Sequence, residues 1–209
     1  MASCNDSNVL EEGPIDGPLS PAIGLGSIFA LGFPRLSPEG DELFVRVNES
    51  VTRIATYRRA SDTGGWSRGP DAYSDASLLG FSPPTRGSGN RRMMVTTAVP
   101  GEGGALVELV ENGGWSVRGS AYTPAELGAD SFGLPFLSED GLRLVFASTT
   151  SATVVMTKVV YADREGIDQR FRPVGEVMGA PKERSYGHIT PDCGRYYVAR
   201  SGAISYAPQ

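Results

Sequence analysis

Four times this chain repeats a short phrase in which a Ser or Thr opens a turn that runs into an apolar strand. The copies are Gly32-Phe33-Pro34-Arg35-Leu36-Ser37-Pro38-Glu39-Gly40, Gly80-Phe81-Ser82-Pro83, Gly133-Leu134-Pro135-Phe136-Leu137-Ser138-Glu139-Asp140-Gly141 and Gly187-His188-Ile189-Thr190-Pro191-Asp192-Cys193-Gly194. Their anchoring hydroxyls fall at positions 37, 82, 138 and 190, steps of 45, 56 and 52 residues. The strands that follow are 43–47, 93–97, 142–146 and 196–199. A period in this range with four strands per repeat is the mark of propeller blades, each a small antiparallel sheet.

The first repeat shows how one blade is built. Residues 33–36 form an inner strand, and Ser37-Pro38-Glu39-Gly40-Asp41 turns, with Pro setting φ and Gly permitting positive φ. Residues 43–47 return, residues 53–57 make the third strand, and Asp62-Thr63-Gly64-Gly65 leads into an outer strand from Trp66 to Tyr73. The second repeat matches it, with Gly113-Gly114-Trp115-Ser116 ending at Tyr122 and the same Trp-to-Tyr spacing. The third keeps Gly166 and Phe171 but lacks the Trp. Because these aromatic residues recur with the repeat, they are expected to pack between neighbouring blades rather than to form a ligand cage.

Second strands such as Leu142-Arg143-Leu144-Val145-Phe146 are apolar at nearly every position, which suits sheets buried on both faces. A β-sandwich, the alternative fold, favours cleaner alternation. The 27 Gly and 15 Pro suit a turn-rich all-β chain, and Pro124-Ala125-Glu126-Leu127 is the one stretch that reads as a helical turn. Residues 1–8 are expected to be a flexible tether and 9–209 a single β-propeller domain of about four, or five, four-stranded blades.

The last repeat has room for three strands only. Residues 8–18 are therefore expected to supply its outer strand by pairing with 203–206, closing the ring and covering an otherwise open edge. A degenerate fifth blade in residues 10–31 is the alternative.

The Ser-Pro-Asp-Gly-like turns leading into apolar strands resemble TolB-type, WD-repeat-like β-propellers of bacteria. The matching turns are Ser37-Pro38-Glu39-Gly40, Ser138-Glu139-Asp140-Gly141 and Thr190-Pro191-Asp192-Cys193-Gly194, while residues 83–90 replace the turn with a longer loop. The resemblance covers roughly four-fifths of the chain and implies a propeller fold, common in bacterial cell envelopes. That family commonly has six or more blades, against four clear ones here.

Charge narrows the partners. A net charge of −5 argues against nucleic acid or an anionic membrane surface, which need a concentrated positive field. Arg53, Arg58, Arg59, Arg68, Arg91 and Arg92 are scattered and read as solvated strand faces. No segment reaches the ~20 apolar residues of a membrane helix. Ala2-Ser3-Cys4, followed by the polar run Asn5-Asp6-Ser7-Asn8, looks like the end of a bacterial lipoprotein signal. Cys4 is thus the expected lipid-attachment site, and the periplasm or cell surface the expected location, with the cytoplasm as alternative. Cys193 reads as a substituted turn residue.

Chemistry is sparse. The single histidine, His188, lies in the last inner strand, where the other copies carry Phe33, Phe81 and Leu134, so it is the only catalytic candidate. No Gly-x-Ser-x-Gly elbow accompanies it. Acids cluster at Glu39, Asp41 and Glu42 and at Glu139 and Asp140 without calcium-loop spacing, and Gly101-Glu102-Gly103-Gly104 reads as a hairpin tip. Neither a metal nor a cofactor is expected. The leading expectation is a non-enzymatic binding or scaffold propeller of the cell envelope with a protein or glycan ligand, resting mainly on fold analogy. The alternative is a small propeller hydrolase or lyase using His188 with channel carboxylates.

Overall fold

In the repeated phrase, the serine hydroxyl ties the turn to the strand that follows it. Ser37 Oγ accepts the backbone amide of Glu42 at 3.1 Å and donates to Asp41 Oδ1 at 2.9 Å. Ser138 Oγ accepts the Arg143 amide at 2.8 Å and donates to Asp140 Oδ1 at 2.6 Å. Both turns close with a glycine amide bonded to the serine carbonyl, Gly40 to Ser37 at 2.9 Å and Gly141 to Ser138 at 2.8 Å. These glycines sit at φ +79° and +73°, a conformation that costs a residue with a Cβ. In the second copy the longer loop carries the same device twice: Ser82 Oγ accepts the Met94 amide and Thr85 Oγ1 the Arg92 amide, each at 2.9 Å.

The computed structural model describes residues 31–48, 50–61, 65–87, 90–101, 103–149, 156–177, 187–189, 195–200 and 203–208. These form four antiparallel sheets in chain order. The first contains β1 (Leu31–Leu36), β2 (Glu42–Asn48) and β3 (Thr52–Arg58), with its outer position divided between β4 (Ser67–Arg68) and β5 (Tyr73–Ser74), both paired to β3. The second is β6 (Leu78–Phe81), β7 (Arg92–Thr97), β8 (Ala105–Glu111) and β9 (Trp115–Tyr122). The third is β10 (Pro135–Leu137), β11 (Arg143–Thr149), β12 (Met156–Asp163) and β13 (Arg172–Glu176). The fourth comprises β14 (Gly187–Ile189), β15 (Arg195–Arg200) and β16 (Ala203–Pro208).

The division of the first outer strand has a local cause. Pro70 offers no amide to the ladder, and Thr56 Oγ1 donates instead to its carbonyl at 2.6 Å. The chain approaches so closely that a Cβ on Gly69 would lie 2.6 Å from Thr56 Oγ1. The Pro124–Leu127 stretch forms the expected helical turn, a 3-10 turn over Ala125–Leu127 that buries Leu127.

Apolar burial follows from the strand pattern. Phe44 and Ile54 pack with Leu78, Phe81, Met93 and Leu109 between the first and second sheets. Met94 and Leu106 pack with Leu137, Leu144, Phe146 and Val160 between the second and third. On its other face the first sheet buries Val45, Val47, Ala55 and Tyr57, and the third buries Val145 and Val159. Sheets buried on both faces and laid one after another are the blades of a small β-propeller, not the layers of a sandwich. Trp66 and Trp115 pack against these clusters as expected, Trp115 meeting Phe44 edge-on at 5.9 Å.

The expected closing segment within 8–18, Cys4 and Cys193 lie outside the described residues, as does the alternative blade in 10–31 apart from Leu31. Among the described residues, no helix is long and apolar enough to cross a membrane.

Candidate functional site

The second strand of each of the first three blades begins on a charged residue, Glu42, Arg92 or Arg143, at the end of the sheet where the serine turn lies. There the antiparallel register places Glu42 opposite Arg58 and Arg143 opposite Asp163. These charges meet across blades. Arg91, just before β7, reaches Glu42 of the first blade, with Nη1 to Oε2 at 2.5 Å, and bonds Glu111 through Nε at 2.6 Å and Nη2 at 2.9 Å. Arg58 Nε also donates to Glu42 Oε1. Burial works against the charge on Arg91, but the bonds to Glu111 and Glu42 outweigh it and raise its pKa above the ordinary arginine value.

The reading of the arginines as solvated faces is therefore corrected for two of them. Arg91 and Arg92 are only 7% and 5% exposed. The adjacent blade covers them, and carboxylates offset the desolvation, Glu42 and Glu111 at Arg91 and Asp168 and Glu108 at Arg92. The available signal was the Arg91-Arg92 pair placed directly before an uninterrupted apolar run.

Two cavities open at this end of the blades. The first, about 680 Å³, lies between the first and second blades and is lined by Glu39, Asp41, Glu42, Arg58, Arg59, Arg91 and Glu111 among others. Its four carboxylates face three guanidiniums, and most are already engaged. Glu39 accepts the Gly87 amide at 3.0 Å, Asp41 holds Ser37, and Arg59 bonds the Gly40 carbonyl at 2.9 Å while lying over Trp66.

The second cavity, about 750 Å³, lies on the third blade and is lined by Leu142, Arg143, Asp163, Arg164, Glu165, Gln169, Arg170, Arg172 and Val174. Four guanidiniums and two carboxylates line it, and two of the four, Arg164 and Arg170, pair with Glu108 and Glu126 outside the lining. Arg143 forms a fork with Asp163, both bonds 2.8 Å, and stands 5.0 Å from the Tyr161 ring centroid. The bond to Asp163 raises its pKa further, against a lesser effect of burial. Arg170 is tied to the second blade through Ser120 at 2.9 Å and Glu126 at 3.1 Å. Glu165 and Arg172 are exposed and, among the described residues, engaged by no other side chain.

The residues singled out from sequence fall elsewhere. His188 lies in β14 opposite Tyr197, as an inner-strand residue should, and its side chain is outside what the structure describes. Glu139 pairs with Arg86 at 2.8 Å, and Asp140 serves its own turn by accepting Ser138 and the Leu142 amide. Among the described residues no group of acids, Cys and His could hold a metal ion. Phe81 is buried in the core, and Leu134 fills the space beside the neighbouring inner strand: a Cβ on Gly80 would lie 2.1 Å from its Cδ2. Phe33 has no described side chain. Sequence reasoning missed Glu165, Arg170 and Arg172, whose charges carry no motif.

No family model and no curated protein matches this sequence. Solved structures do. A candidate 6-phosphogluconolactonase from Bacteroides uniformis superposes with a TM-score of 0.54 at 16% identity, over 86% of this chain and 50% of its own. A second candidate 6-phosphogluconolactonase, from Bacteroides fragilis, gives 0.48 at 15% identity over 86% of this chain and 50% of its own. The periplasmic gluconolactonase of Pseudomonas aeruginosa gives 0.44 at 14% identity over 79% and 63%. This chain thus spans about half the length of the two Bacteroides proteins. The expectation of a non-enzymatic envelope scaffold is corrected here: it rested mainly on fold analogy, and the Bacteroides uniformis protein of this fold is named a candidate 6-phosphogluconolactonase. At such identity the likeness itself establishes the fold alone: a small β-propeller.

Proposed function

We propose that this chain is a hydrolase acting on a small anionic substrate, of the phosphorylated sugar-lactone class, bound in the cavity of the third blade. The observation that carries the reading is that Glu165 and Arg172, engaged by no other side chain among the described residues, line one cavity with three further guanidiniums and Asp163. Arg172, without a carboxylate partner among the described residues, favours an anionic ligand over a neutral one. The substrate class is that in the name of the Bacteroides uniformis protein whose fold this chain shares, brought here as part of the proposal.

In this reading Arg172 receives the anionic group, and Glu165 takes a proton from the water that attacks the lactone carbonyl. The carbonyl oxygen gathers negative charge that Arg143, held charged by Asp163, offsets. The bond from the carbonyl carbon to the ring oxygen then breaks, the ring oxygen takes the proton, and a hydroxy acid leaves.

The test is the hydrolysis of 6-phosphogluconolactone against gluconolactone, each corrected for its spontaneous rate. Acceleration of the phosphorylated lactone is expected, with Glu165→Gln lowering kcat ~100-fold or more, as for loss of a general base. Arg172→Gln should act mainly on KM. A rate equal to that of buffer for both lactones would overturn the reading.

TolB-type ancestry and anchoring through Cys4 in the periplasm stand beside this as proposals, supported by the turn phrases and by Ala2-Ser3-Cys4. Fatty-acid labelling of the full-length protein that survives Cys4→Ser would end the anchor.

A further inference from the structure

The cavity of the third blade is not polar throughout. Leu142 and Val174 stand in its wall among the charged groups, Leu142 half-buried and Val174 53% exposed. A single exposed valine on an open surface is ordinary. This one is set into the wall of a cavity by an irregularity of the backbone.

In the pairing of β12 with β13, Tyr161 lies opposite Gly175 and the next residue, Ala162, opposite Pro173. Val174 is therefore the extra residue of a β-bulge, a device that re-aims a side chain. Pro173 suits the bulge because it has no amide to give the ladder. Its ring faces the 3-10 turn after β9, where a Cβ on Gly128 would lie 3.6 Å from the Pro173 Cβ. Val174 lines the cavity instead.

The charges of the cavity lie beside it in a fixed order. Arg143 stands opposite Asp163, and Asp163 opposite Arg172, so a row of cation, anion and cation crosses the three strands. Leu142 immediately precedes the row on one side, and Val174 follows Arg172 by two residues on the other. Water against these aliphatic groups is displaced favourably by hydrocarbon and not by hydroxyls. A volume of about 750 Å³ has space for more than the anionic group alone.

We infer that the ligand of this cavity joins its anionic group to an apolar one, an aryl or branched alkyl group, with Arg172 receiving the charge and Val174 the hydrocarbon. The inference rests on the reading of the third-blade cavity as a substrate site and narrows it. Among anionic lactones, those with a hydrocarbon substituent are bound in preference to fully hydroxylated ones, and Val174 is the residue that selects them.

The test is calorimetric binding of phenyl phosphate and of glucose 6-phosphate to the full chain, at an alkaline pH where both are dianions. Phenyl phosphate is expected to bind about tenfold tighter, the scale of a hydrocarbon contact in a pocket. Its heat-capacity change should be the more negative of the two. Val174→Thr keeps the β-branch and exchanges one methyl for a hydroxyl, so it should bring the two affinities within about threefold of each other. Arg172→Gln should weaken both esters alike. Equal affinities in the parent, or a preference that survives Val174→Thr, would overturn the inference and leave the anion site standing. A parent that binds neither ester, or binding indifferent to Arg172→Gln, would remove the cavity as a substrate site and the inference with it.

Discussion

Arg164 and Glu108 meet at 2.8 Å across the second and third blades, with 0% and 5% of their side chains exposed. The arginine follows β12 and the glutamate lies mid-strand in β8, so the bond fixes one blade against the next. Removing one member of such a pair leaves the other charged and dry. Glu108→Ala should therefore destabilise the chain by about 3–5 kcal/mol in denaturant melts. A loss below ~1 kcal/mol would show that water reaches Arg164 freely.

The turn serines should matter more than their exposure elsewhere in a loop would suggest. Ser82 is fully buried and its hydroxyl is the acceptor for the Met94 amide. Ser82→Ala leaves that amide without a partner and should cost about 1–3 kcal/mol. Ser116→Ala, at an exposed site with a marginal 3.5 Å bond to the Val110 carbonyl, should stay within ~0.5 kcal/mol of the parent. Equal losses for the two would refute the latch as the reason the phrase repeats.

Tyr73 and Asp75 predict opposite pH limbs. Partial burial, then the bond to Asp75, push the Tyr73 phenol from 10.0 up to about 12. The folded chain keeps a proton there that the unfolded chain releases, so stability is lost as pH rises from about 10 toward about 12. Asp75 is lowered below its ordinary 3.8, chiefly by the hydrogen bond from Ser77, so its contribution is present above that value and lost as pH falls below it. Tyr73→Phe should flatten the alkaline limb of a stability–pH curve, and Asp75→Asn the acid limb. Ultraviolet titration should show a late-ionising component that disappears in Tyr73→Phe.

His188 separates two sites for the chemistry. If hydrolysis resides in the third-blade cavity, His188→Ala keeps lactone hydrolysis within a few-fold of the parent while Glu165→Gln loses it. The reverse pattern, with unchanged melting curves, would move the reaction to the last inner strand and away from the arginine-lined cavity.

The repeated phrase, read as sequence, already contains the blade. Ser138, Gly141 and Arg143 make their turn among themselves, within five residues, so the residues that encode the turn are the ones that form it. The apolar runs around Phe44 and Phe146 likewise imply burial on both faces, because no alternation spares either side. The charged sites follow another rule. Arg164 finds Glu108 at a separation of 56 residues and Arg92 finds Asp168 at 76, each through a different blade. An arginine at a strand end looks the same in sequence whether water or the next blade covers it. Only the stacking of blades decides that Arg92 is buried and that Glu165 and Arg172 share a cavity, because partners so distant in sequence meet through the packing of separate sheets.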